Sequence, residues 1–175
     1  MTTRSFLALV PDARARGRLR ALQQDVLGTS SRWRLVAPSA LHLTLAFLGD
    51  RSAAELADLA SRAASLDFQP LTLVTADWLA LPPARPRALA IAIAASPELM
   101  QLGKAVDVIV RDVGLELESR EWLPHVTLAR ARDGLPEPVG SVAGQSLRCA
   151  RIGLFASDQT GSGVRYRPLW QIAED

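Results

Sequence analysis

The chain has 175 residues, of which 49% are hydrophobic and 22% are charged, and its net charge at pH 7 is +2. This composition excludes an intrinsically disordered protein, and the length fits one compact domain or two small lobes that share a core. No apolar run approaches the roughly 20 residues that cross a bilayer, which argues against a membrane protein. A single cysteine, Cys149, cannot form an internal disulfide. Together these features predict a cytoplasmic location.

The basic residues are strongly biased, with nineteen arginines and one lysine, Lys104. The planar guanidinium group suits phosphate oxygens, so the bias is compatible with phosphate or RNA binding. An Arg- and Ala-rich proteome explains the same bias without any such function. Charge alone therefore does not predict a nucleic-acid-binding protein.

The first half of the chain is predicted to alternate strands and helices. A buried strand at residues 4–10 is followed by a helix at 12–27, because apolar residues recur there at helical spacing. A strand at 41–48 should end at Gly49-Asp50. Ser52 and Glu55 form a capping-box signature that opens a second helix, and residues 71–81 have the pattern of another strand.

The second half is predicted to repeat this order after a break. The segment LPPARPR at residues 81–87 has three prolines and fits a turn between the two halves. A strand at 88–95 follows, then a helix that begins at Ser96-Pro97 and ends at Gly114. Strands are also expected at 146–156 and 164–172, joined by the loop SDQTGSG at 157–163.

The order strand, helix, Trp-containing loop, proline and His-x-Thr strand occurs in both halves. The two helix starts, at residues 12 and 97, are 85 positions apart, and the two histidines, at 42 and 125, are 83 apart. We therefore predict one two-lobed domain over residues 1–175 with an internal repeat at about 1–81 and 88–175. Strands outnumber helices and several lack a crossover helix, which predicts an α+β fold of mostly antiparallel sheets.

Two phrases are nearly identical, LHLTLAFLGD at residues 41–50 and PHVTLARARD at 124–133. They contain both histidines of the chain. Because side chains alternate along a strand, each phrase should bury aliphatic residues on one face and present a histidine and a threonine on the other. These pairs are His42 with Thr44 and His125 with Thr127. A pseudo-twofold relation between the halves would let the two pairs confront each other across a cleft.

Such a cleft suits phosphoester chemistry. Two imidazoles with an ordinary pKa of about 6.5 can supply one base and one acid near neutral pH. Two threonine hydroxyls can donate to phosphate oxygens, and no cluster with metal-ligand spacing accompanies the histidines, so neither a metal nor another cofactor is predicted. A lone histidine on a strand is more often packed in the core, but two copies in a repeated setting favour the functional interpretation.

These motifs, together with RSFLALV near the start and IGLFASDQTGSGVRYRPLWQI near the end, resemble the two-histidine phosphoesterase superfamily. Over the whole chain the sequence is most similar to bacterial and archaeal RNA 2',3'-cyclic phosphodiesterases, also called 2'-5' RNA ligases. The resemblance implies two pseudo-symmetric lobes with helices outside and a cleft between them. It also implies hydrolysis of a terminal 2',3'-cyclic phosphate to a 2'-phosphomonoester, with 2'-5' ligation of tRNA halves in some members.

By the same resemblance His42 is the proton donor, His125 is the proton acceptor, and Thr44 and Thr127 hold the phosphate. The residues themselves do not distinguish the two histidine roles. Arg130 matches an arginine that often follows the second motif. Strict alternation places it on the face opposite His125, so a bulge or a strand end is needed for it to reach the phosphate, and a surface ion pair is the alternative.

Three aromatic residues are candidates for stacking on a base, namely Phe6, Trp33 and Tyr166. Packing is the favoured role of the first two, and arginines flank the last two. The alternatives to an enzyme are a binding module that holds a nucleotide or RNA end without turnover, and a domain whose histidines only pack. The expected partners are RNA ends or small nucleotides with a 2',3'-cyclic phosphate, with no membrane association and a monomeric state. The natural substrate and the importance of ligation stay open.

Overall fold

The structure is a computed structural model that describes residues 1–27, 33–117, 121–131, 134, 140–160 and 163–173. Eight strands are present in these ranges: β1 (Thr2–Pro11), β2 (Trp33–Leu35), β3 (Leu43–Ser52), β4 (Leu71–Leu81), β5 (Ala88–Ile93), β6 (His125–Ala131), β7 (Ser146–Thr160) and β8 (Gly163–Ala173). The helices are α1 (Ala13–Leu27), α2 (Ala53–Ala63) and α3 (Pro97–Asp112), and a short 3-10 helix covers Pro38–Ala40.

The strands form two antiparallel groups that correspond to two lobes. The first lobe has the order β3-β1-β7-β8, and the second has the order β2-β6-β5-β4. The lobes are joined where β3 meets β6 and where residues 71–74 of β4 pair with residues 146–149 of β7. The predicted α+β, mostly antiparallel fold is confirmed.

The predicted order of elements is also present in both lobes. β1, α1 and β3 follow one another in the first lobe, as β5, α3 and β6 do in the second. Within each set the outer strands pair with each other, β1 with β3 and β5 with β6. The segment at residues 81–87, predicted as a turn between the two halves of the sequence, contains a cis Leu81-Pro82 peptide. It connects β4 and β5, which pair with each other in the second lobe, so it does not separate the lobes.

Local sequence signals explain where the helices begin. The Asp12 carboxylate accepts from the Ala15 amide at 2.7 Å, and Ser52 and Glu55 form the predicted capping box of α2. Ser96 Oγ accepts from the Leu99 amide at 3.2 Å at the start of α3. These contacts satisfy amide groups that have no partner inside the helix.

Two strands are longer than the sequence pattern predicted. β3 passes through Gly49, which has a φ of 71°, and continues to Ser52 because it stays paired with the start of β1, where Thr2 faces Ser52. The segment expected as a loop at 157–163 is largely a hairpin, since β7 reaches Thr160 and pairs there with Gly163 of β8. Pairing with another strand therefore extended both strands beyond their local signals.

A continuous apolar core lies between the sheets and the helices. It contains the aliphatic face of each motif strand, with Leu43, Leu45, Val126 and Leu128 all buried. Cys149 is a free, buried thiol in the same core, and burial raises its pKa to about 12, so it is inert at neutral pH. None of the helices in the described part of the chain is long and apolar enough to span a membrane.

Candidate active site

The two motif strands meet at a single residue pair at the junction of the lobes. Leu43 of β3 pairs with Val126 of β6 in antiparallel orientation, and each follows directly after its motif histidine. This register implies that His42 lies across from Thr127 and that Thr44 lies across from His125, on the face opposite the buried pair. The histidine and threonine of one motif therefore stand beside those of the other.

Both histidines are held by the same local hydrogen bond. His42 Nδ1 lies 2.7 Å from the Ala40 carbonyl oxygen, and His125 Nδ1 lies 2.7 Å from the Leu123 carbonyl oxygen. A carbonyl can only accept, so each Nδ1 carries the hydrogen and donates it. Each Nε2 is then left to take up or release a proton. This is the arrangement that general acid-base catalysis by histidine requires.

His42 lies within a cluster of aromatic rings. Its ring centroid is 4.8 Å from that of Phe6 and 5.0 Å from that of Tyr166. Burial lowers the pKa of His42 to about 4, against the opposing effect of the hydrogen bond to Ala40. The positive charges of Arg130 and His125 lower this pKa further. His42 is therefore neutral at pH 7 when the cleft holds no anion.

A β-bulge turns Arg130 toward this site. Ala129 pairs with Leu89 and Thr127 pairs with Ala90, so Leu128 has no partner on β5. Leu128 and Ala129 are consecutive buried residues, which breaks the alternation of the strand. Arg130 is thereby moved to the face of Thr127, and its charge acts on His42. The bulge that Arg130 was expected to need is present.

Gln23 of α1 holds this bulge, and it was missed as a functional residue at the level of the sequence. Its Nε2 donates to the carbonyl oxygens of Leu128 and Val36, each at 2.8 Å, and the residue is only 2% exposed. A buried glutamine within an apolar helical stripe was the available signal, since buried polar groups are normally hydrogen-bonded. Its two partners belong to the segment before the first motif and to the second motif strand.

A second hydrogen bond from a side chain to a backbone carbonyl oxygen joins the two lobes. The indole Nε1 of Trp122 donates to the Thr44 carbonyl oxygen at 3.0 Å. The ring lies on α3 at Gly103, where an added Cβ would be 2.8 Å from a ring carbon. Trp122 therefore fits a groove that the glycine leaves open, and it ties the segment before His125 to the first motif strand.

The three aromatic candidates lie in different surroundings. Phe6 is 4% exposed and supports the His42 ring, so little of its surface is open to a base. Tyr166 is half-buried and lies edge-on to both Phe6 and His42. Trp33 packs instead in a small cluster with Leu89 and Ala129. The structure therefore brings Tyr166 to His42 and leaves Trp33 in a packing position. Arg32, which precedes it, lies outside the described residues.

The remaining polar groups of the cleft suit an anion. Thr44 and Thr127 are half-buried, and neither hydroxyl hydrogen-bonds to another residue in the described ranges. Arg130 is exposed and unpaired within the same ranges. No group of three His, Cys, Asp or Glu residues that could hold a metal ion occurs in the described part of the chain. The two neighbouring motif segments thus carry two hydroxyl donors, a guanidinium and two imidazoles, and donors of these kinds suit a phosphate group.

Comparisons with known proteins agree with this geometry. The family model of LigT-like phosphoesterases matches residues 10–90. An RNA 2',3'-cyclic phosphodiesterase of Aeropyrum pernix is 29% identical over 166 residues, which are 89% of this chain and 94% of that protein. A second protein of that name, from Methanothermobacter thermautotrophicus, is 25% identical and covers 97% of each chain.

Solved structures match over nearly the whole fold. The protein TT0787 of Thermus thermophilus superimposes with a TM-score of 0.82 at 26% identity and covers 97% of both chains. E. coli LigT without a ligand has a TM-score of 0.78 at 26% identity and covers 98% of this chain and 97% of its own. The paired His-x-Thr motifs and these similarities agree with one another. The chain is similar to LigT-like phosphoesterases in sequence over residues 10–90 and to E. coli LigT in fold over nearly its whole length.

Proposed function

We propose that this protein is a LigT-like phosphoesterase of the two-histidine superfamily and that it acts as an RNA 2',3'-cyclic phosphodiesterase, which opens a terminal cyclic phosphate and leaves a 2'-phosphomonoester. The observation that carries the proposal is the antiparallel pair Leu43 and Val126, whose register sets each motif histidine beside the threonine of the other motif. Relatives bearing this enzyme name match along most of the chain, and E. coli LigT has been crystallised with 3'-AMP and with ATP.

In the proposed reaction the two histidines act on opposite sides of the phosphorus. His125 Nε2 takes a proton from water while the water oxygen forms a bond to phosphorus. The bond from phosphorus to the 3' oxygen breaks, and His42 Nε2 gives its proton to that oxygen. The products are a 2'-phosphomonoester and a free 3' hydroxyl group. The two carbonyl-bound Nδ1 atoms keep both rings in the orientation that these transfers need.

The phosphate is held by uncharged and charged donors together. Thr44 and Thr127 donate their hydroxyl hydrogens to the non-bridging oxygens, and Arg130 neutralises the charge that grows on them as water attacks. The reaction proposed here needs no metal ion, because these groups and the two histidines supply the acid, the base and the charge stabilisation.

The lowered pKa of His42 adds a condition to its role as donor. The free site holds a neutral imidazole, so His42 must gain its proton when substrate binds. A negatively charged phosphate close to the ring favours the imidazolium form and offsets the positive charge of Arg130. Substrate binding and protonation of His42 are therefore coupled in this proposal.

The same site would join RNA ends through a 2'-5' linkage when a free 5' hydroxyl takes the place of water: His125 takes the hydroxyl proton, the 5' oxygen bonds to phosphorus, and the 3' oxygen leaves with a proton from His42. We further propose that the protein acts as a monomer in the cytoplasm and that the repeat at about 1–81 and 88–175 arose by duplication. The lobes are not the two halves of the sequence, because β4 of the first half pairs in the second lobe and β7 and β8 of the second half pair in the first lobe. Its substrates are RNA ends or small nucleotides with a 2',3'-cyclic phosphate, and Tyr166 is the aromatic residue best placed to contact the base.

Product analysis tests the reaction. A short RNA that ends in a 2',3'-cyclic phosphate is incubated with the wild-type protein and with His125→Ala, both in EDTA, and the products are followed by phosphorus NMR. The expected result is a 2'-phosphate from the wild type and an unchanged cyclic phosphate from the variant. Wild-type protein that binds this RNA but leaves it intact would identify a binding module instead. Loss of wild-type activity in EDTA would overturn the metal-free reaction.

A further inference from the structure

A pocket of about 350 Å³ opens beside His42, on the side away from the second motif. None of its lining residues belongs to β6. The floor is the exposed face of β1, β7 and β8, and His42 and the residues before it form one wall. A group attached to a phosphate held between the two histidines would extend into this space.

Gly153 of β7 lies beneath two of the residues that line the pocket, Phe155 and Gln171. Ala8 of β1 and Gln171 of β8 both pair with Gly153 of β7. A Cβ on Gly153 would lie 2.9 Å from Phe155 ring carbons and 2.9 Å from Gln171 Cγ. Only a glycine leaves room for these two side chains, which line the pocket between an aromatic end and a basic end.

The aromatic end adjoins His42, and the basic end lies further along the strands. Phe155 pairs with Phe6, and Arg151 pairs with Val10, so the two pairs are four residues apart along β1 and β7. At about 3.3 Å per residue this separation is roughly 13 Å. That length accommodates a nucleoside followed by one more group.

The basic end contains two half-buried guanidinium groups, those of Arg16 and Arg151. Arg16 Nη1 donates to the Pro11 carbonyl oxygen at 2.8 Å, which holds the side chain over the pocket and leaves its other donors available. Arg151 forms no hydrogen bond or ion pair within the described ranges. No acidic residue is among the described residues that line the pocket. The nearby Asp12 carboxylate already accepts from the Ala15 amide and lies 3.9 Å from Arg148.

We infer that Arg151 and Arg16 bind a second phosphate of the substrate, the one attached to the 5' oxygen of the nucleoside that carries the cyclic phosphate. Two unneutralised guanidiniums in a partly enclosed pocket favour a phosphate group, which accepts from both at once. In an RNA this phosphate is the diester to the preceding nucleotide, and in a mononucleotide it is a 5'-phosphate. The inference rests on the proposed function, because it places the reacting phosphate beside His42. Substrates without a 5'-linked phosphate should be hydrolysed less efficiently.

The test compares three substrates that differ only at the 5' oxygen: adenosine 2',3'-cyclic phosphate, its 5'-phosphorylated form, and the dinucleotide with the same cyclic end. For the wild type we expect kcat/KM to be about 10- to 100-fold higher when a 5'-linked phosphate is present. The ratio should fall close to one in Arg151→Gln and should persist in Arg85→Gln, an exposed arginine outside the pocket. A gain for the dinucleotide alone would identify the RNA diester as the ligand, and a gain for the 5'-phosphate alone would identify a mononucleotide.

A binding measurement separates this inference from the proposed reaction. Calorimetry gives the affinities of adenosine 2'-phosphate and adenosine 2',5'-bisphosphate, neither of which requires turnover. Tighter binding of the bisphosphate by the wild type and Arg85→Gln, but not by Arg151→Gln, supports the pocket even if no cyclic phosphate is hydrolysed. Equal affinities in the wild type, or an unchanged preference in Arg151→Gln, would overturn it.

Discussion

The two motifs have the same local backbone contact but different surroundings. Each histidine donates from Nδ1 to the carbonyl oxygen two residues earlier, at 2.7 Å in both cases. His42 lies against two aromatic rings and its pKa is lowered to about 4. His125 makes no ring contact within the described ranges, and its strand has the bulge that brings an arginine.

The two copies of the motif therefore differ in chemistry because the residues around them differ. The first motif has the rings of Phe6 and Tyr166, whereas the second has Arg130. A histidine whose pKa depends on a bound anion is suited to act only when a phosphate is present. His125, which makes no ring contact within the described ranges, is suited to act on water. Substitutions in either motif or its surroundings should remove or increase the difference between the two histidines.

The largest effect is expected from removing either imidazole. His42→Ala and His125→Ala should each lower kcat by about 10²- to 10⁴-fold, the range typical of a general acid or base. Steady-state kinetics on a cyclic-phosphate RNA measures the loss, and circular dichroism confirms that each variant folds. A variant that keeps more than a tenth of wild-type kcat would show that its histidine is not catalytic.

Arg130→Gln should lower kcat about 10²-fold, because a charged donor to the developing phosphate charge is lost. Arg34→Gln is the matched control, since Arg34 pairs directly with Arg130 across β2 and β6 and is also exposed. Kinetics of both variants gives the answer. Equal losses in the two variants would assign the effect to general surface charge and remove Arg130 from the site.

The pH dependence of stability should reveal the buried histidine. The pKa of His42 is about 4 in the folded protein and 6.5 ordinarily, so below pH 6.5 the unfolded chain binds the proton first. Stability is therefore lost as pH falls from about 6.5 to about 4. Between pH 7 and pH 5 the His42 contribution is about 2 kcal/mol of unfolding free energy.

Urea unfolding at these two pH values measures this loss in the wild type, His42→Gln and His125→Gln. The His42 variant should lose about 2 kcal/mol less than the wild type, and the His125 variant should keep the larger part of the wild-type loss. The same loss in wild type and His42→Gln would show that the pKa of His42 is not lowered in the folded protein.

A smaller effect is expected at Gln23, which we propose positions Arg130 through the bulge. Gln23→Leu removes the donor to the Leu128 carbonyl oxygen and should lower kcat/KM about fivefold. In an Arg130→Gln background the same change should not lower kcat/KM further, because Gln23 acts through Arg130. Gln24→Leu, at the exposed neighbouring position, is the control. An equal loss in both backgrounds, alongside a lowered melting temperature, would indicate a purely structural role.

Much of the fold was predictable because its signals are local. Ser52 and Ser96 marked the starts of α2 and α3, the spacing of apolar residues marked α1, and the proline-rich segment marked the connection from β4 to β5. The strand ends at Ser52 and Thr160 were not predictable from the local sequence. The end at Ser52 depends on pairing with β1, which is distant along the chain, and the end at Thr160 depends on pairing with β8, the next strand.

The candidate site divides in the same way. The repeated phrase identified the histidines and threonines, because alternation along a strand is a local property. The position of Arg130 depends on a bulge, which alternation cannot indicate. Gln23, Trp122 and the pocket beside His42 arise from contacts between distant segments, so no short motif marks them. Trp33 is the opposite case. Arginines flank it in the sequence, which suggested stacking on a base, but it packs against Leu89 and Ala129.

The most direct test of the roles of the two histidines is a substrate that needs no proton donor. A substrate with sulfur in place of the 3' oxygen releases a thiolate, whose conjugate acid has a pKa of about 8.5, so no general acid is required. The account predicts that His42→Ala regains most of its lost kcat on this substrate, whereas His125→Ala stays as inactive as on the oxygen substrate. Recovery of His125→Ala in place of His42→Ala would reverse the two roles and contradict the account.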